Sequence, residues 1–142
     1  MIRLFRKREE SPAVHPPVSA VVVAAGGSTR MGVPKQMIPL RGIPVIVRTL
    51  QALDRAGLVD EIVLVARQED MLPFYTLCKQ YEVGKVSAIV PGGATRQQSV
   101  AAGVAAARPN AAYYAIHDGA RPLVRPSTVD AVIAAAVEGG AA

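Results

Sequence analysis

Apolar positions change their spacing along this chain, and the changes predict strands alternating with helices. Val21, Val22 and Val23 follow one another with no polar partner, so Ser19 to Ala25 reads as a strand buried on both faces, as in a parallel sheet. Glu61 to Ala66 repeats the pattern. Val86 to Val90 is a shorter third strand and Ala112 to His117 a fourth. Between them the period lengthens. Ile46, Val47, Leu50 and Leu53 share one face of a helix over Ile43 to Ala56, which Gly57 stops. Glu69 to Tyr81 is a weaker helix, interrupted near its start by Pro73. Thr95 to Ala107 places Val100 and Val104 on one face. Ser127 to Val137 carries an apolar stripe from Val129 to Val137, and Ser127 with Asp130 reads as a capping box. This order predicts an α/β fold: right-handed crossovers, a mostly parallel sheet and helices on both faces.

The two ends depart from the alternation. Residues 1–17 read as a flexible basic leader, in which Ser11-Pro12 and Pro16-Pro17 hold off regular structure until the first strand. Residues 18–142 form the domain. Its last residues, Glu138-Gly139-Gly140-Ala141-Ala142, are small and lead toward another strand. Four parallel strands leave an apolar edge open, so the chain is expected to stop before its fold is complete.

A length of 142 residues fits one domain, and a 51% hydrophobic composition supplies a core. Aromatics make up 4% with no Trp, so Val, Ile, Leu and Ala must build that core. The stacking platforms of single-strand nucleic-acid binders are largely missing. The net charge is +5; Arg3, Arg6, Lys7 and Arg8 against Glu9 and Glu10 account for +2 of it. The modest remainder suits small anionic substrates better than a DNA surface. One cysteine, Cys78, excludes an internal disulfide and reads as a half-buried helix thiol. No apolar run is long enough to span a membrane, and the start has no apolar signal region. A cytoplasmic protein with no nucleic-acid or membrane partner is the expectation.

Three segments carry candidate chemistry. The first strand empties into Ala24-Ala25-Gly26-Gly27-Ser28-Thr29-Arg30-Met31-Gly32-Val33-Pro34-Lys35. Gly26 and Gly27 permit close backbone approach at the strand's carboxyl end, where open α/β sheets bind ligands. Arg30 offers a planar fork of donors and Lys35 a compact charge, which together suit a polyphosphate. Neither the P-loop nor the dinucleotide fingerprint is present, and a glycine turn with two solvated cations is the plainer alternative. The second segment is Pro91-Gly92-Gly93-Ala94-Thr95-Arg96-Gln97-Gln98-Ser99. The amides and carbonyls of Gly92 and Gly93 can read the edge of a flat base, with Ser99 bonding the base and Arg96 bracing the loop. The alternative is a helix start capped by Thr95 with Arg96 solvated. The third is His117-Asp118-Gly119-Ala120-Arg121-Pro122. Asp118, at the end of a buried strand, is placed to touch a ribose hydroxyl or a magnesium ion. Arg121 is placed for a second phosphate or for a surface ion pair with Asp118. His117 reads as a half-buried structural histidine.

In this order the three segments resemble the 2-C-methyl-D-erythritol 4-phosphate cytidylyltransferase family, over about residues 18–138. The first motif alone indicates only the wider nucleotide-diphospho-sugar transferase superfamily, with its Rossmann-like sheet. The resemblance implies transfer of a cytidylyl group from CTP to 2-C-methyl-D-erythritol 4-phosphate, releasing pyrophosphate, with Mg2+ as cofactor and a homodimer as the assembly. It implies that Arg30 and Lys35 stabilise the triphosphate and the developing charge. It further implies that Ala24, Ala25, Gly26, Gly27 and Ser28 line the nucleotide pocket, that Gly92, Gly93 and Ser99 read the cytosine, and that Asp118 sits near ribose and metal. Arg121 looks like the methylerythritol-phosphate ligand, contributed across the dimer. Ser28 stands where some members have glycine. Family members run well past this length, and some are fused to the cyclodiphosphate synthase of the same pathway. A cytidylyltransferase for ribitol or another polyol phosphate, and a CTP-binding module without turnover, are the competing readings.

Overall fold

The computed structural model describes residues 1–4, 15–27, 29–30 by their backbone, and 32–141. Its main sheet has five strands. In chain order these are β1 (Ile2–Arg3), β2 (Val18–Ala24) and, after two small hairpins, β7 (Glu61–Ala66), β8 (Val86–Pro91) and β9 (Tyr113–Asp118). The first hairpin pairs β3 (Thr29–Arg30) with β4 (Val33–Pro34), and the second pairs β5 (Pro39–Leu40) with β6 (Ile43–Pro44). A short 3-10 turn over Lys35–Met37 lies between the hairpins. Helix α1 (Val45–Arg55) precedes β7 (Glu61–Ala66), α2 (Gln68–Gln80) precedes β8 (Val86–Pro91), α3 (Arg96–Ala106) precedes β9 (Tyr113–Asp118), and α4 (Pro126–Gly139) follows.

The strand order is β1-β8-β7-β2-β9, and the four long strands are parallel. All seven residues of β2 and all six of β7 are buried, as their unbroken apolar runs require. Alternate side chains divide between two cores. Ala20, Val22 and Ala24 pack with α1, α2 and α4 through Ile46, Leu50, Leu53, Phe74 and Ile133. Val21, Val23, Val63 and Val65 face α3 through Val100 and Val104. The chain steps outward from β2 to β7 and β8, then returns to the far side of β2 to lay down β9. A right-handed crossover in the reversed direction must pass over the opposite face of the sheet, which is where α3 lies. Gly103 makes that close passage possible, because a Cβ there would fall 2.3 Å from Val21 Cγ1.

Several sequence expectations need correction. Ile2–Arg3 pair antiparallel with Ile89 and Ala88, so the first residues of the leader form an edge strand; residues 5–14 lie outside those described. Helix α1 starts at Val45 because Pro44 holds Ile43 extended. Pro73 does not interrupt α2: in its second turn it removes only one intrahelical bond, and the helix runs on through it. Ser127 and Asp130 form no capping box. Pro126 occupies the first turn of α4, so the helix begins earlier, and Asp130 instead accepts from the amides of Gly57 (3.0 Å) and Leu58 (2.8 Å).

Cys78 lies on a helix as expected, but it is fully buried on α2 rather than half-buried, and burial pushes its thiol pKa up to about 12. Strand β9 is not the buried strand expected before Asp118: it lies at the sheet's edge and leaves Tyr114 and Ile116 exposed. Beside it an apolar hollow of about 560 Å³ lies against α4, lined by Val18, Leu53, Tyr113, Val129 and Ile133 among others. Among the described residues, no helix is long and apolar enough to cross a membrane.

Candidate nucleotide site

The carboxyl ends of β2 and β9 adjoin where the strand order reverses, the place at which open α/β sheets leave a crevice. A cleft of about 290 Å³ opens there. One wall is the end of β2: Val23, Ala25, Gly26 and Gly27. Lys35 and Gln36 close it from the 3-10 turn. The far wall is the loop after β8 and the first turn of α3, with Gly93, Ala94, Thr95, Arg96 and Ser99. Asp118 enters from β9. Three segments separated by some ninety residues of chain therefore meet at one rim.

Each wall has a local cause. Gly92 is forced by contact: a Cβ on it would fall 2.4 Å from Ala25 Cβ and 2.7 Å from Ser99 Oγ. The Gly92 amide donates to the Ala66 carbonyl at 2.9 Å, and Gly93 donates to Ser99 Oγ at 3.1 Å. Thr95 caps α3 by accepting from the Gln98 amide at 3.1 Å. The Gln98 side chain completes a capping box, its Oε1 accepting from Ala94 (2.8 Å) and Thr95 (3.3 Å). The helix-start alternative for this segment is thus real, and it coexists with a place on the cleft wall.

Asp118 pairs in register with Val23, so its side chain shares the α3 face with the cleft. Its Oδ1 accepts from the Ala120 amide at 2.9 Å. The loop beyond is fixed from beneath. The Gly119 amide donates to the Val23 carbonyl at 2.9 Å, and Thr49 Oγ1 donates to the Gly119 carbonyl at 2.8 Å. A Cβ on Gly119 would come within 3.0 Å of both Ala24 Cβ and Ile46 Cδ1. This explains why glycine follows the aspartate.

The cleft therefore unites eight of the sequence candidates: Ala25, Gly26, Gly27, Lys35, Gly93, Arg96, Ser99 and Asp118. Ala24 and Gly92 do not line it; Ala24 faces the α1 core, and Gly92 stands behind Ala25 and Ser99 as a spacer. Arg121 is exposed outside it, and among the described residues no ion pair joins Arg121 to Asp118. Ser28 and the Arg30 side chain lie outside the described residues. His117 is half-buried, its Nε2 at 3.1 Å from the Arg121 carbonyl, which is the structural role expected. Ser99 is 3% exposed, so its hydroxyl first holds Gly93 and only its edge meets the cleft. Sequence reading missed Gln36 and Gln98. Gln98 carried a legible signal, because it stands three residues after the cap Thr95; nothing about Gln36 marked it.

Among the described residues, two cations, Lys35 and Arg96, and one carboxylate, Asp118, face the cleft. Among the described residues no three metal-ligating side chains gather. A lone carboxylate with one oxygen already engaged does not cage an ion by itself. It suits a divalent cation that would draw most of its ligands from elsewhere.

The family described as 2-C-methyl-D-erythritol 4-phosphate cytidylyltransferase matches residues 18–142. A protein of that name from Pelotomaculum thermopropionicum is 42% identical over 128 residues, covering 88% of this chain and 54% of its own length. A bifunctional enzyme IspD/IspF of Dinoroseobacter shibae is 42% identical over 135 residues, covering 94% of this chain and 33% of its own. The crystal structure of the 4-diphosphocytidyl-2C-methyl-D-erythritol synthase from Anaerococcus prevotii is similar with a TM-score of 0.72 and 30% identity, over 84% of this chain and 50% of that one. The chain spans about half the length of the curated single-function relatives it matches.

Proposed function

The chain belongs to the 2-C-methyl-D-erythritol 4-phosphate cytidylyltransferase family, and on that premise we propose that its cleft binds CTP for cytidylyl transfer to 2-C-methyl-D-erythritol 4-phosphate. The observation that carries this reading is the meeting of the β2 loop, the β8 loop and Asp118 at one rim. The glycine-rich end of β2 lets the nucleotide lie against backbone. Gly93 and Ser99 face the base, Asp118 the ribose, and Lys35 the triphosphate, with Arg30 assigned to the same phosphates by its place in the motif.

In the proposed reaction a phosphate oxygen of the acceptor attacks the α-phosphorus of CTP in line. The new P–O bond forms as the bond to the bridging oxygen of the β-phosphate breaks, and pyrophosphate leaves with that electron pair. Such a transfer needs positioning and charge neutralisation more than covalent help. Lys35 supplies a fixed positive charge at the cleft, half-buried where screening is reduced. Asp118 would hold magnesium, which when bound neutralises phosphate charge. Arg121, outside the cleft, is assigned to the acceptor phosphate of a second subunit's site in a homodimer. The setting is cytoplasmic.

Pyrophosphate release from CTP, measured with each acceptor in turn, tests the reading. Release with methylerythritol phosphate supports it. Release only with ribitol phosphate contradicts the assigned acceptor, and CTP binding without release from any acceptor contradicts the catalytic assignment.

A further inference from the structure

Four consecutive backbone amides on the β8 loop are already bonded within the protein. Gly92 donates to the Ala66 carbonyl, Gly93 to Ser99 Oγ, and both Ala94 and Thr95 to Gln98 Oε1. A glycine-rich loop at a helix start would ordinarily offer such amides to a ligand. This one does not. Among the described residues, no hydrogen bond claims the carbonyl oxygens of Gly92, Gly93 or Ala94. Gly93 and Ala94 line the cleft, so the backbone groups this loop has left to offer there are acceptors.

We propose that Gln98 is a positioning residue that sets base selection: by drawing the Ala94 and Thr95 amides onto one oxygen, it leaves the loop only acceptors to offer. Such a wall favours a base whose edge carries an exocyclic amine. A base with a carbonyl in that place sets oxygen against oxygen and finds no donor on the loop's backbone to satisfy it. Gln98 need not touch the base. Its side chain is exposed behind the loop and does not line the cleft. Its backbone is locked from the other side, since a Cβ on Gly93 would fall 2.3 Å from Gln98 Cβ. The two residues thus fix each other, and the direction of the loop's peptide planes follows.

This inference rests on the nucleotide reading above, and its test separates the two. The affinities of the whole chain for CTP and UTP are measured by titration calorimetry for the wild type, Gln98→Ala and Gln98→Glu. The expected result is a CTP preference in the wild type that falls about tenfold in Gln98→Ala, because the freed amides can then satisfy a carbonyl. Gln98→Glu keeps an acceptor oxygen in place and should retain the preference. If Gln98 only props the helix, Gln98→Ala weakens both nucleotides alike and the ratio stays constant, which overturns the inference. A wild type that binds UTP as well as CTP overturns the cytidine reading itself.

Discussion

Gly92 lies so close to Ala25 that a Cβ built on it would fall 2.4 Å from Ala25's own Cβ. The β2 and β8 loops, far apart in sequence, therefore touch with no space between them, and the width of the cleft is set by that contact. Ser99 Oγ, 2.7 Å from the same Cβ position, closes the space from α3. Gly92→Ala should push the loops apart. The expected cost is about 1–3 kcal/mol of stability, with loss of CTP affinity beyond what that cost alone would cause. Denaturant unfolding and nucleotide titration of the same variant check both parts.

Glu61 anchors the opposite end of the sheet. It is 2% exposed, and it accepts from Ser19 Oγ (2.6 Å), Ser87 Oγ (2.7 Å) and the Arg108 amide (2.6 Å), with Arg108 Nε at 3.5 Å. One carboxylate thus ties β2, β7, β8 and the segment before β9. Glu61→Ala should destabilise the fold by about 3–5 kcal/mol, since its donors and the Arg108 charge lose their partner. Where the variant remains folded, its CTP affinity should be unchanged. A Glu61→Ala protein as stable as the wild type in urea would show that the cluster does not anchor the strands.

These two positions show what the sequence could and could not reveal. Buried strands were legible because Val21 to Val23 and Ile62 to Val65 have no polar alternation. The motifs were legible because glycines and cations stand at strand ends. Element ends were less so: Pro44 and Pro126 shift the starts of α1 and α4 through constraints that act on a single residue. The partners of Asp130 and Glu61 lie 47 to 73 residues away for Arg108, Leu58 and Gly57, and no local pattern encodes such a distance. At the site, the segment from Gly92 to Ser99 was legible as one unit, but both its amides and its carbonyls were offered to the base. Their use by Ala66, Ser99 and Gln98 emerges only when every donor is followed to its acceptor.

Cys78 gives a pH prediction. Burial raises its thiol from 9.0 to about 12, so the folded state holds the proton more tightly than the unfolded state. The associated stability is intact below pH 9 and is lost as pH rises from about 9 toward 12. Cys78→Ser removes that thiol titration, so its stability should fall less steeply across this window. Equal slopes in the two proteins, measured by urea unfolding at several pH values, would contradict the assignment. In the native state at pH 8 the wild-type thiol should resist modification by a thiol reagent and react once the chain unfolds.

Lys35 is the described cation in the cleft that carries the charge argument. Lys35→Ala should slow pyrophosphate release by about 10²–10³ if it stabilises charge developing on the transferring phosphate. Turnover near that of the wild type would remove it from that role.

The central claim is that CTP occupies the cleft between the β2 and β8 loops. Amide chemical shifts of the isotope-labelled chain, followed during CTP titration, test it most directly. The account predicts saturable shifts concentrated at Ala25, Gly26, Gly27, Gly93, Ala94 and Asp118, with Tyr114 and Val132 unmoved. Shifts confined to the apolar hollow between β9 and α4, or none at any nucleotide concentration, would contradict it.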